Sequence, residues 1–220
     1  MTFSDIKDIA DIIDSLHKTP KYAENGHPMV RVVDVKYGAL NLNNTRKVSD
    51  EVYTEFSRRY EPEIDDIIIT RVGSYGISAL VKDINFCLGQ NTAAIKPKIN
   101  KRFLYYALNS PSLKRQIEYS TVGSTQRTLS LKAIGNLKIP RFEEQYEDLI
   151  AEVLSCIDDK IENNRRMNET LEEMARAIFK SWFVDFDPVH AKTEGKQPAH
   201  MDAETAALFP SSFGDDGLPV

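Results

Sequence analysis

The chain has 220 residues, 28 Lys and Arg against 33 Asp and Glu, two cysteines and a formal net charge of −5. That length accommodates one compact domain plus a substantial appendage, or two small domains, and ~140 residues bury an adequate core without disulfide or metal. The two cysteines, Cys87 and Cys156, lie far apart, the N-terminus has no signal-peptide pattern, and no apolar run approaches the ~20 residues of a membrane span; the composition predicts a soluble cytosolic protein with both thiols serving as small buried apolar groups.

Along residues 1–141 the pattern is mixed α+β. Met29–Val35 is a β-branched run that predicts a strand, Asp65–Val72 a second and Ile77–Val81 a third. Between the last two lies Gly73-Ser74-Tyr75-Gly76, a turn with glycine at both ends. Gln90–Ile95 predicts another strand, ended by Pro97. Lys101–Asn109 reads as a helix and Ser112–Tyr119 as a second one after Pro111. Ser130 is placed to cap a further helical turn before the strand-like Leu137-Lys138-Ile139.

The character changes after Pro140. From Glu143 to Trp182 there is no Gly or Pro, and helix formers dominate. Ile150, Leu154, Ile157, Ile161, Leu171, Ala175, Ile178 and Trp182, with Asn164 and Asn168 inserted, form an unbroken 4-3-4-3 alternation, which is a heptad seam about 50 Å long. Glu162–Arg166 and Glu172–Arg176 are favourable pairs one turn apart. Such a stripe cannot be buried by its own helix and calls for another long helix. The pattern is nearly symmetric about Asn164 and Asn168, so an antiparallel second copy would set asparagine opposite asparagine, where polar residues select register and partner. The other possibility is a helix folded back on its own domain with the asparagines facing water. Beyond Trp182, residues 191–220 are rich in Ala, Ser, Gly, Pro and acids and read as a tail or linker with at most one helical turn near Ala203–Leu208. The chain therefore divides into a domain at 1–141, a long helix region at 142–190 and a tail at 191–220.

Charge follows the same division. Residues 1–141 hold 21 Lys and Arg against 15 Asp and Glu, whereas 142–220 hold 7 against 18. Only the front half is suited to a polyphosphate, although a basic surface is also compatible with simple solvation.

Catalytic signatures are missing. There is no Gly-x-x-x-x-Gly-Lys-Ser/Thr phosphate loop, and Asp187-Pro188-Val189-His190 lacks the second proline and the aromatic of an amino-methyltransferase element. Asp158-Asp159-Lys160 is similar to the end of a nuclease carboxylate set, but one helical turn does not supply a converging metal cage. His17, His27, His190 and His200 are scattered, and Ser74 lacks a nucleophile-elbow pattern. No metal and no cofactor are expected in this chain.

Three stretches carry a family resemblance. Asp65 to Gly76 is similar to the element GDIL(I/L)SRxGxxG. Gly123-Ser124-Thr125-Gln126-Arg127-Thr128-Leu129-Ser130 is close to GSTQxxLS and is followed by Leu137-Lys138-Ile139-Pro140 and Glu144-Gln145. The third stretch runs from Ile157 to Lys192, above all Asp158–Asn164 and Ala177–Pro188. These motifs resemble the specificity subunits of type I restriction–modification systems, and the third is long and specific. The resemblance implies a non-catalytic subunit. In its full-length form two target-recognition domains are separated by two long antiparallel helices that space them and dock two methyltransferase subunits. The present chain has one such domain and one such helix, half of that plan. Two antiparallel copies would restore it with two-fold symmetry and read an interrupted palindrome, with half-sites roughly 10–15 base pairs apart on DNA rising 3.4 Å per pair. The resemblance implies that S-adenosylmethionine is bound by the partner methyltransferase and that a translocase-nuclease (restriction) subunit joins the assembly.

Under that resemblance the expected DNA contacts are His17, Lys18, Thr19, Lys21 and Tyr22 on one polar loop, Arg71, Ser74 and Tyr75 at the glycine turn, Gln90 and Asn91, and Ser124, Thr125, Gln126 and Arg127. Each has a structural alternative: Arg71 could pair with Asp66 or another acid, and the 123–130 element could be scaffold. Phe179, Trp182, Phe183 and Phe186 exceed what one seam buries and are the expected methyltransferase anchors, or else they close the end of the coiled coil. A coiled-coil adaptor with a protein-binding head, which would show no salt-dependent DNA affinity, is the main competing reading. A divergent metal nuclease dependent on Asp158 or Asp159 is the other.

Overall fold

The computed structural model describes residues 2–122 and 127–220. It comprises two units, the first ending at Asp158 and the second running from Asp159 to Val220.

The first unit opens with strand β1 (Thr2–Asp5), the single-turn helix α1 (Ile6–Ile9) and strand β2 (Ala10–Asp14). Sequence patterning passes over them because aspartates interrupt the isoleucines. Pairing with distant partners, β1 on residues 138–141 and β2 on residues 93–97, supplies what local propensity lacks. Strands β3 (Tyr22–Ala23) and β4 (His27–Val30) follow. The strand expected over Met29–Val35 stops at Val30. Arg31 donates to the Asp34 carboxylate from Nε at 2.8 Å and Nη2 at 2.9 Å, and Val32–Asp34 closes into a 3₁₀ turn. Strands β5 (Gly38–Ala39) and β6 (Arg46–Val48) lead into helix α2 (Asp50–Ser57), capped by Ser49.

Strands β7 (Ile67–Thr70), β8 (Ser78–Leu80), β9 (Cys87–Leu88) and β10 (Thr92–Pro97) complete the middle of the unit. One sheet has the order β2-β10-β7-β8-β5, and a second has the order β3-β6-β4-β9. Strand β10 is antiparallel to both β2 and β7. Because alternate residues of a strand face opposite sides, Ile67, Ile69, Ala93 and Ile95 enter one core while Ile68 and Ala94 enter another. A strand buried on both faces reads as a continuous apolar run, which is why Ile67-Ile68-Ile69 was visible in sequence. Each fully buried isoleucine contributes about 1.5–3 kcal/mol.

Helices α3 (Lys101–Asn109) and α4 (Pro111–Tyr119) begin at the caps Asn100 and Ser110, and Pro111 occupies the first turn, where its missing N–H is harmless. Helix α5 (Leu131–Gly135) has Ser130 Oγ accepting the Ala133 N–H at 3.0 Å, the cap that the sequence predicts, and strand β11 (Lys138–Arg141) returns to β1. Asp66, fully buried, accepts from Lys101 Nζ at 2.8 Å, Tyr60 Oη at 3.1 Å and the Glu63 N–H at 3.0 Å, so the burial of its charge is offset by three donors. Burial of the Cys87 thiol pushes its pKa up to about 12, and the thiol is inert packing; Cys156 is exposed on the long helix, contrary to expectation.

Helix α6 (Glu144–Phe183) is continuous over 40 residues, about 60 Å. Its first turns belong to the α+β unit, so the division falls after Asp158 and not at residue 141. Glu147 is buried and accepts from Arg141 at 2.6 and 3.0 Å, Ala151 is buried, Ile150 packs on the core, and Asp158 accepts from Tyr106 Oη at 3.0 Å. Ile150, assigned to the seam by spacing, is thus used by its own domain.

The second unit contains the rest of α6, helix α7 (Asp187–Thr193) and helix α8 (Ala203–Ala207). The segment expected to be a linker is folded here: the Phe209 ring lies 5.6 Å from Trp182 and 6.0 Å from Phe183, and Phe213 lies 4.5 Å from His190 and 6.4 Å from Phe186. Lys192 donates to the carbonyls of Ala206 and Phe209. Pro188 sits in the first turn of α7, where proline starts a helix.

Candidate nucleic-acid interface

The geometry builds from the end of β7. Gly73 and Gly76 both have φ of +75°, a conformation that glycine adopts without strain. At Gly76 a Cβ would also meet Ile117 Cγ2 at 2.7 Å, so close approach of the turn to α4 needs glycine twice over. Thr70 Oγ1 donates to the Ser74 carbonyl and accepts the Ile77 N–H at 3.0 Å, fixing the turn from inside.

Arg71 ties this turn to two others. Its N–H donates to the Asn91 carbonyl at 2.9 Å, and its own carbonyl accepts the Leu129 N–H at 2.8 Å. Its Nε donates to the Leu129 carbonyl at 3.2 Å, and its Nη1 pairs with Asp14. Val122 and Thr128 form a two-bond antiparallel bridge, and Thr128 also bridges Val72, so the ends of the 123–126 loop are anchored beside the glycine turn. The Asp14 carboxylate in turn accepts from His17 Nε2 at 2.8 Å. Four of the predicted segments, at residues 17, 71–76, 90–91 and 127, are therefore joined in one hydrogen-bonded assembly.

Individual assignments change within it. Arg71 has only 11% of its side chain exposed and is committed to Asp14 and Leu129; it braces the loops, and its guanidinium is not offered to a ligand. Arg127 is the contrasting case, 52% exposed, with Nη1 donating to Tyr75 Oη at 3.2 Å and lying 3.8 Å from the Glu118 carboxylate as a loose ion pair. Ser74 is exposed, and Tyr75, Gln90 and Asn91 are half-buried, Asn91 with φ of +65°. Lys18 is paired with Glu55 at 2.7 Å, while Thr19 and Lys21 are exposed and Tyr22 lies under the Arg46 guanidinium at 4.7 Å. Ser124, Thr125 and Gln126 fall outside the described residues. Asp14, the anchor of the assembly, escaped the sequence reading because its partner is 57 positions away.

On α6 the seam residues beyond the first turns are unburied. Leu154 is half-buried, whereas Ile157, Ile161, Asn164, Asn168, Leu171, Ala175 and Ile178 are exposed. Phe179 and Phe183 are exposed as well. Trp182 and Phe186 are half-buried beneath the folded tail, and with Val189, Leu208, Phe209 and Pro219 they line an apolar cavity of about 410 Å³. Among the described residues no cluster of His, Cys, Asp or Glu could hold a metal ion, and no helix is long and apolar enough to cross a membrane.

An α+β domain with several loops braced together, followed by a long helix with an open apolar stripe, defines the class: a recognition-type domain carrying a helical spacer. Residues 1–173 match the family model of the type I restriction modification DNA specificity domain, and the chain belongs to that family. The specificity subunit of the type I restriction enzyme MjaIX from Methanocaldococcus jannaschii is 31% identical over 145 residues, covering 65% of this chain and 33% of that protein. The EcoBI specificity subunit of Escherichia coli is 32% identical over 169 residues, covering 71% and 35%. The fold is similar to the crystal structure of the S subunit of a type I restriction-modification system from M. genitalium, with a TM-score of 0.61 at 20% identity over 88% of this chain and 49% of that one. It is also similar to a chain from a structural study of complex assembly and conformational transition of the type I R-M system, with a TM-score of 0.56 at 19% identity over 81% and 44%. The chain spans about a third of the length of the curated relatives it matches.

Proposed function

We propose that this chain supplies DNA sequence recognition to a type I restriction–modification complex and catalyses no step itself. The observation that carries this is the family match over residues 1–173, which takes in the whole α+β unit and most of α6. In this reading Arg127, Ser74, Tyr75, Gln90 and Asn91 face a DNA groove, and the His17–Tyr22 loop lies along the backbone. Arg71 and Asp14 hold those loops at fixed separation, which base readout requires.

The open stripe from Ile157 to Ile178 supports pairing with a second, antiparallel copy. Two recognition units so related read an interrupted palindrome. Phe179 and Phe183 dock a methyltransferase subunit, which binds S-adenosylmethionine and methylates adenine at N6, and a restriction subunit joins the same assembly. The complex works in the cytoplasm.

Selection from a randomised duplex library by the chain mixed with its methyltransferase subunit tests the reading. One enriched bipartite motif is expected. Recovery of unselected sequence, by a preparation that retains methyltransferase activity, would overturn it.

A further inference from the structure

Arg46 and Lys47 were not among the expected contacts, yet both are exposed on β6, next to the edge strand β3 that carries Tyr22. Strand β3 pairs antiparallel with β6 in the register Tyr22↔Val48 and Ala23↔Lys47. Tyr22 is opposite Val48, so alternation sends Arg46 to the face that Tyr22 shares with Val48 and Lys47 to the other face of β6. The Arg46 guanidinium rests over the Tyr22 ring at 4.7 Å. Among the described residues no carboxylate lies at ion-pair distance from Arg46, Lys47 or the adjacent Lys21, whereas Arg31, Arg71 and Arg141 are each paired with an acid. Arg46 is therefore oriented by a ring and left uncompensated. Tyr22, Glu24, Thr45, Arg46 and Lys47 line an open cleft of about 440 Å³, of which Glu24 is the one acidic member.

The register also fixes where this edge lies. Arg46 is opposite Met29 on β4, and Met29 is opposite Cys87 on β9, the strand that feeds Gln90 and Asn91. Two strand spacings and three residues of rise put Arg46 roughly 15 Å from Gln90. That is comparable to the ~12 Å major groove, so a duplex seated on the loops brings its backbone to Arg46.

We propose that the β3–β6 edge is a backbone clamp, in which Arg46, held by Tyr22, and Lys47 bind DNA phosphates flanking the bases read by the loops. The clamp rests on the DNA-recognition reading and adds sequence-independent affinity to it. Glu24 limits that affinity by repelling phosphate.

The test is a salt titration of duplex binding by the full chain, using random-sequence duplex and the selected target in parallel. Arg46→Ala and Lys47→Ala are each expected to reduce the slope of log affinity against log salt by about 0.9 and to weaken both duplexes equally. Tyr22→Leu should do part of the same, and Glu24→Gln should tighten binding, a gain that misfolding does not produce. Wild-type slopes in the variants would overturn the clamp while leaving recognition intact, as would a loss confined to the target duplex. If the wild-type chain itself binds no DNA, alone or with the methyltransferase subunit, recognition fails first and the clamp with it.

Discussion

Arg71 and Asp14 brace the proposed recognition loops through their own contacts and offer no free group to a ligand. The guanidinium is nearly enclosed and closes one link among β2, β7, the Asn91 turn and Leu129. Removing it leaves the part-exposed Asp14 carboxylate with His17 alone and the Leu129 carbonyl without its guanidinium donor, so Arg71→Ala is expected to destabilise the α+β unit by about 1–3 kcal/mol in denaturant unfolding, and a loss within experimental error would remove its bracing role. Arg127→Ala should instead leave stability within about 0.5 kcal/mol and weaken target binding by about 1–3 kcal/mol in a competition assay. The glycine turn gives a paired prediction. Gly73→Ala meets open space and costs only its left-handed backbone, about 1 kcal/mol, whereas Gly76→Ala adds a clash with Ile117 and should cost distinctly more on thermal unfolding. The motif containing these residues was legible in sequence, including the turn and both glycines. The role of Arg71 was not, because ion-pair partners separated by 57 positions are chosen by topology, which no local pattern encodes.

Among the elements, those with a local signature were the ones read correctly. Ser130 and Pro111 mark helix starts, Ile67–Ile69 marks a strand buried on both faces, and the absence of Gly and Pro marks α6. Short strands such as β3, β5 and β9 have two residues each and no period to detect; they exist through their ladders. The folded tail was hidden for a different reason, since its composition is that of a linker and its order comes from aromatic contacts to the end of α6. The seam was legible in spacing, but spacing did not reveal that Ile150 is taken by the domain. The open part is where pairing is argued: Ile161→Lys or Leu171→Lys is expected to convert the dimer to monomer in sedimentation while the thermal transition of the α+β unit stays in place. Retained dimer in both variants would place the pairing surface elsewhere.

At the level of the whole molecule, residues 1–141 are basic and 142–220 acidic, and the proposed function uses that asymmetry by giving DNA to the front and protein partners to the back. The match covers about a third of each curated relative, and the proposed pairing of two recognition units would supply a bipartite target through symmetry. The most direct test is methylation mapping of DNA after co-expression of this chain with its cognate methyltransferase subunit. The account predicts an interrupted palindrome carrying methyladenine on both strands, present only when this chain is expressed. An asymmetric split target would contradict the pairing of two copies, and no chain-dependent methylation alongside an active methyltransferase would contradict the recognition role itself.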